Sequence, residues 1–129
     1  MLFSIIIPAF NAERYLHDSL KSIRMQTFTD YETIIVDDGS TDKTGEIADS
    51  FAGETSRTHV IHQENEGLLL ARRTGLQAAS GKYVVFLDAD DSLRSTALQD
   101  IADAIHKYNV VIVSFRYSRQ DNFLTSDSP

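Results

Sequence analysis

Apolar positions along this chain follow two patterns that take turns. Short runs of nearly continuous apolar residues are spaced along it: Leu2 to Pro8, Tyr31 to Val36, Thr58 to His62, Lys82 to Leu87 and Asn109 to Tyr117. Between them apolar residues recur at helical spacing: Ala12, Leu16, Leu20 and Ile23, then Ile47, Ala48 and Phe51, then Leu68, Ala71, Gly75 and Ala79, and finally Leu98, Ile101, Ala102 and Ile105. Continuous runs suit strands covered on both faces, and the 3.6-residue period suits helices with one buried face. The pattern predicts five strands and four helices in alternation, hence right-handed βαβ crossovers and a mostly parallel sheet flanked by helices.

Punctuation residues sharpen the element ends. Pro8 closes the first strand, and Asn11 is placed as the N-cap of the first helix. Asp37-Asp38-Gly39-Ser40-Thr41-Asp42 is a turn rich in capping residues, with Gly39 at a point of positive φ or close backbone approach. Gly81 is expected at C′ of the third helix, and Thr96 with Gln99 is spaced for a capping box on the fourth. Residues 118–129 are polar and aperiodic, so they are expected to be frayed or extended.

Composition narrows the function classes. A chain of 129 residues has room for one core-bearing domain. A net charge of −7 argues against a nonspecific binder of nucleic acid or anionic membrane, which needs a basic face. A nucleotide diphosphate remains possible where a metal ion inverts the local charge. The absence of cysteine excludes disulfides and thiolate metal sites. The first residues lack a basic flank and are too short an apolar run for a signal peptide or membrane span, so they read as a strand.

The polar chemistry gathers at strand C-termini, where open α/β sheets bind ligands. The first strand ends in Pro8-Ala9-Phe10-Asn11, the second in Asp37-Asp38-Gly39-Ser40 and the fourth in Asp88-Ala89-Asp90-Asp91. Asp-x-Asp at such an edge is either a solvated acidic turn or a set of oxygen ligands for a hard divalent cation, which in turn suits a phosphate-bearing substrate. Phe10 is either a core residue or a ring on which a base stacks. Asp38 is either a helix cap or an acceptor for a base or ribose. His17, His59, His62 and His106 have no ligand-like spacing with the acidic motifs and read as surface or strand-edge histidines.

Taken in order, the segments Ser4-Ile-Ile-Ile-Pro-Ala-Phe-Asn11, Gln26-Thr-Phe28, Val36-Asp-Asp-Gly-Ser-Thr-Asp42, Asn65-Glu-Gly67, Ala71-Arg72 with Gly75, and Gly81-Lys-Tyr-Val-Val-Phe-Leu-Asp-Ala-Asp-Asp91 resemble the nucleotide-sugar half of family-2 glycosyltransferases. The resemblance runs from about Phe3 to Tyr117 and implies the Rossmann-like GT-A fold and inversion at the anomeric carbon. It implies that Pro8, Ala9 and Phe10 cradle the base of a nucleoside-diphosphate sugar, that Asp38 holds the base (usually uracil), and that Asp88 faces ribose and diphosphate. Asp90 is then the ligand of Mn²⁺ or Mg²⁺, with Asp91 nearby. Gly67 and Arg72 support the diphosphate side, although Arg72 also fits a surface helix arginine.

Two positions depart from the family pattern: Arg73 stands where asparagine is usual, and Ser95 where proline often starts the next helix. The resemblance also implies an acceptor half and a general base beyond this chain, so residues 1–117 are expected to be a donor-binding domain and 118–129 a tail leading onward. The acceptor, a glycan or lipid, is not identified. A patch otherwise covered by the acceptor half would favour a homo-oligomer. Family members often build surface polysaccharides or glycolipids, which implies a cytoplasmic protein associated in full length with the cytoplasmic face of a membrane. Two alternatives stand beside this reading. One is a noncatalytic nucleotide-sugar binding module. The other is a haloacid-dehalogenase-type phosphatase with Asp88 as nucleophile, but that family needs a downstream lysine and acidic pair which the sequence after Asp91 does not supply in context.

Overall fold

The computed structural model describes residues 1–108, 115–116 and 125–126. Strands β1 (Phe3–Ala9), β2 (Tyr31–Asp38), β3 (Thr58–Gln63) and β4 (Tyr83–Phe86) form one parallel sheet in the order β3-β2-β1-β4. Helices α1 (Leu16–Arg24), α2 (Thr44–Glu54), α3 (Leu68–Ala78) and α4 (Ala97–Tyr108) complete the alternation. The α/β architecture expected from the sequence is therefore present. The predicted last strand, Asn109 to Tyr117, lies outside the described residues except for β5 (Phe115–Arg116). That pair joins β6 (Thr125–Ser126) in an antiparallel ladder and does not extend the parallel sheet.

The strand order explains the layering. From β1 to β3 the chain steps one way across the sheet; from β3 to β4 it steps back past β2 and β1. Crossovers of one hand put helices on one face for the first direction and on the other for the return. Accordingly α1 and α2 pack with Phe3, Ile5, Ile7, Ile35 and Val85 on one side, where α4 also packs, while Ala71 of α3 packs with Ile6, Ile34 and Val36 on the other. Covered on both sides, β1 is buried at all its positions, as its continuous apolar sequence requires. Helix α3 approaches closely because Gly75 faces β1; a Cβ there would collide with Ile6.

Three predicted caps are replaced by long-range contacts. Asn11 is not an N-cap: α1 begins at Leu16 after a turn, and Asn11 has φ +46° with its Oδ1 accepting from the Thr41 amide at 2.8 Å. Gly81 is not a left-handed C′ residue either, since α3 ends into extended backbone at Ala79. Its bare Cα is needed because a Cβ would lie 2.6 Å from the backbone and hydroxyl of Ser4. The Thr96/Gln99 capping box does not form; Thr96 bonds Asp100 and Gln99 bonds Asp103. Gln26 serves the start of α4 instead, accepting from the Leu98 amide at 3.1 Å and donating to the Arg94 carbonyl at 2.7 Å. This gives the Gln26-Thr-Phe28 segment a physical purpose: it fixes the connection that follows the acidic motif.

Candidate functional site

The reversal of chain direction falls between β1 and β4, and at such a switch point the loops leaving neighbouring strands part to open a crevice. The C-terminal ends of β1, β2 and β4 all point to this edge. The β1 end, Pro8 to Phe10, lines a cavity of about 190 Å³ together with Asp38, Asn65, Gly67, Leu68 and Ala71. Five of the residues singled out from sequence thus meet in one cavity: Pro8, Ala9, Phe10, Asp38 and Gly67. Phe10 is 51% exposed and lines this cavity, so it is not a core phenylalanine.

Asp38 is held by the loop that enters α3. Its Oδ1 accepts from Gln63 Nε2 and the Glu66 amide, both at 2.9 Å, and its Oδ2 accepts from the Gly67 amide at 3.0 Å. The Asn65 side chain donates to the Asp38 carbonyl at 3.1 Å. Gly67, with φ +96°, turns the chain into α3, and Gly39, with φ +76°, leaves space for the Asn65 backbone, which a Cβ would approach to 2.5 Å. Asp38 does not cap α2; the Thr44 amide at its start donates to Asp42 instead, at 2.9 Å. Sequence reading does not single out Gln63, because nothing local signals a partner 25 residues away.

At the end of β4 the carboxylates of Asp88, Asp90 and Asp91 lie within 4.8 Å of one another. The Asp91 amide donates to the Asp88 carbonyl at 3.0 Å, a tight turn that folds the trio together. Grouped anionic oxygens without nitrogen or sulfur donors suit Mn²⁺ or Mg²⁺, so the residues present fit such an ion. Arg72, in the first turns of α3 beside the cavity-lining Ala71, reaches this trio: its Nη2 is 3.3 Å from Asp88 Oδ1 and its guanidinium lies 5.8 Å from the Phe86 ring centre. It is therefore not simply a surface helix arginine. Arg73 is exposed on the same helix.

His62 closes β3 beside this edge, bonded to Asp37 and Asp49. The hydrogen bond to Asp37, then that to Asp49, raises its pKa above the ordinary histidine value despite the opposing effect of partial burial. At the opposite end of the sheet Glu32 is buried among Ser4, Ser80 and His59. Burial pushes its pKa up, but the hydrogen bonds from Ser4 and Ser80, aided by His59, outweigh that and leave it below the usual glutamate value. Among the described residues no helix is long and apolar enough to cross a membrane.

Comparison with known proteins agrees with this arrangement. The chain is 39% identical over 121 residues to the uncharacterized glycosyltransferase EpsJ of Bacillus subtilis (strain 168), an alignment covering 94% of this chain and 35% of that protein. Among solved structures it superposes on residues 1–349 of S. aureus TarS in complex with UDP with a TM-score of 0.79 at 33% identity, covering 84% of this chain and 33% of the other. The mannosyltransferase PcManGT from Pyrobaculum calidifontis, in complex with GDP-Man and Mn²⁺, matches with a TM-score of 0.74 at 25% identity over 80% of this chain and 32% of the other. The chain spans about a third of the length of each relative. A family profile described as Glycosyl transferase family 2 matches residues 4–128, and with the acid-tipped β4 in its expected place the chain belongs to that family.

Proposed function

We propose that this chain binds the donor of an inverting glycosyltransferase, a UDP-sugar, for transfer to a glycan or lipid acceptor. The observation that supports this most directly is the pairing at one sheet edge of an aromatic-lined cavity with the Asp88, Asp90 and Asp91 carboxylates. Relatives solved in complex with UDP and with GDP-Man and Mn²⁺ favour the same ligand class. Family membership sets aside the phosphatase alternative.

In this reading Phe10 stacks on the base, a contact worth roughly 1–3 kcal/mol and tolerant of base identity. Asp38 holds the Asn65–Gly67 loop against the base; the lone pairs of its oxygens not used by that loop are available to the base. Asp90, with Asp88 and Asp91, would hold Mn²⁺ or Mg²⁺. Such an ion, when bound, offsets the negative charge that builds on the leaving diphosphate. Arg72 stands on the diphosphate side, where its remaining N–H groups can donate to a phosphate oxygen. In the transfer itself the acceptor oxygen forms its bond to the anomeric carbon from the face opposite the diphosphate. The bond from that carbon to the diphosphate oxygen breaks with its electron pair, and the acceptor proton passes to a base. That base and the acceptor site are assigned outside this chain, and the full protein to the cytoplasmic face of a membrane.

Calorimetry with UDP tests the reading. Affinity is expected in Mn²⁺ and a marked loss of it in EDTA; equal affinity in both would remove the metal assignment, and no binding in either would remove the donor assignment.

A further inference from the structure

Both ring nitrogens of His62 are engaged by carboxylates: Nδ1 lies 2.8 Å from Asp37 Oδ2 and Nε2 lies 2.9 Å from Asp49 Oδ1. An ionised carboxylate only accepts, so for both contacts to be hydrogen bonds each nitrogen must carry a proton and the ring must be an imidazolium. Asp37 on β2 and Asp49 on α2 are the charged groups that act on it from the elements packed against it. The Asp37 side chain is 9% exposed and the Asp49 side chain 60%, so the first contact is sheltered and the second is screened by solvent. The fit depends on Gly45, where a Cβ would lie 2.8 Å from Asp37 Oδ2 and 3.3 Å from the His62 ring.

The two arms lead to the same place. Through Asp37, Oδ1 accepts from the Ser40 amide at 3.1 Å, and Ser40 Oγ accepts from the Asn11 amide at 3.0 Å. Through Asp49 the ring holds α2, whose first residue, Thr44, accepts from the Ala12 amide at 2.8 Å. Asn11 and Ala12 follow Phe10 directly, and Asn11 is in the left-handed region at φ +46°. Asparagine tolerates that region better than other non-glycine residues, and its Oδ1, accepting from the Thr41 amide at 2.8 Å, helps hold it there.

We propose that His62, as an imidazolium, is a positioning residue for the donor pocket, fixing the Phe10–Ala12 turn through Asp37 and α2 together. The proposal rests on the donor-binding reading. A neutral ring has one N–H; it keeps one arm and sets a lone pair against the other carboxylate. Because the ring's partners raise its pKa, the imidazolium persists above the ordinary range and is lost as pH rises through that raised value.

The test has two parts. In the protein without ligand, NMR should show both His62 ring nitrogens protonated at low pH, with the Ser40 and Asn11 amide signals moving at the His62 midpoint. Separately, UDP affinity in Mn²⁺ should be measured across that pH range for the wild type and His62→Gln. Wild-type affinity should fall about 5- to 10-fold relative to the variant as the ring deprotonates, the size of one hydrogen bond. Taking the difference cancels the pH dependence of UDP and of the ion. Parallel profiles, or Ser40 and Asn11 amides that ignore the His62 midpoint, overturn the proposal, and the NMR part decides even where His62→Gln fails to fold. Absence of UDP binding by the wild type at every pH overturns the pocket role by a different route, since it removes the donor reading itself.

Discussion

The Gly67 amide donates to Asp38 Oδ2 at 3.0 Å, so the carboxylate at the end of β2 sets where α3 begins. Asp38 is 3% exposed, and three donors converge on it, Gln63 from the end of β3 and the Glu66 and Gly67 amides from the β3–α3 connection. Its place is thus structural before any base arrives. Replacing it by alanine leaves the Glu66 and Gly67 amides without their partner, at a cost of about 1–3 kcal/mol. Asp38→Ala should therefore lower both the urea midpoint and UDP affinity, and weaken the preference for uridine over adenosine nucleotides. A variant that loses affinity with an unchanged midpoint would show that the loop does not depend on Asp38.

Asp88 and Asp90 should separate on mutation although they stand two residues apart. Asp88 is already paired with Arg72 at 3.3 Å, so Asp88→Asn frees the guanidinium as well as removing an anionic oxygen. Asp90→Asn removes an anionic ligand without touching that pair. The expectation is that Asp90→Asn largely abolishes the Mn²⁺ dependence of UDP binding, while Asp88→Asn weakens binding but leaves some metal dependence. Titrations of both variants with and without EDTA decide it; identical behaviour would count against separate roles.

Glu32 ties β2 to β1 and to the Ser80 turn, accepting from Ser4 Oγ at 2.5 Å, the Ser80 amide at 2.7 Å and Ser80 Oγ at 2.8 Å. Its folded pKa is lowered. The stability it contributes is therefore complete above its unfolded value of about 4.3 and is lost as pH falls through the folded value. Glu32→Gln, which turns an amide N–H toward donors, should cost about 1–3 kcal/mol at pH 7. The gap to the wild type should narrow in acid as the wild type loses its advantage. Urea midpoints at neutral and acid pH measure this, and a gap that stays constant would refute it.

Gly75→Ala sets two effects against each other. Alanine gains about 1 kcal/mol of helix propensity over glycine. The new methyl, however, meets Ile6, fully buried in β1, where overpacking costs about 1–3 kcal/mol. Packing should win, lowering stability by up to about 2 kcal/mol in chemical denaturation, with α3 displaced from the sheet. A stabilised variant would mean that α3 shifts without strain.

The sequence reveals what local pattern determines. Continuous apolar runs gave β1 and β2 because both faces are covered, and helical periodicity gave α1 and α4 because each lays one face on the sheet. The acidic trio was legible because its members are near neighbours in sequence. What pattern could not give is which distant residue satisfies a backbone group. Local pattern places caps at Asn11, Gly81 and the start of α4, whereas Thr41, Ser4 and Gln26 are the actual partners or neighbours, each brought in from a distant segment by the fold. His62 likewise looked like an isolated strand-edge histidine until β2 and α2 brought Asp37 and Asp49 to its two nitrogens.

The isolated 129-residue chain should bind donor but fail to transfer sugar. Transfer needs a base within hydrogen-bond reach of the acceptor hydroxyl, on the side away from the diphosphate. The carboxylates that end β2 and β4 already have work: Asp37 holds His62 and the Ser40 amide, Asp38 holds the α3 entry, and Asp88 pairs with Arg72. Asp90 and Asp91 complete the trio suited to a cation, which would suppress their basicity. Without a positioned base the rate should fall by roughly 10²–10⁴-fold, and loss of acceptor positioning lowers it further. Slow hydrolysis of the UDP-sugar by water should survive where the ion is bound, since the diphosphate is still the leaving group. Product formation with a mixed acceptor panel, followed alongside hydrolysis, measures the two routes at once. Robust transfer by this chain would place the base within it.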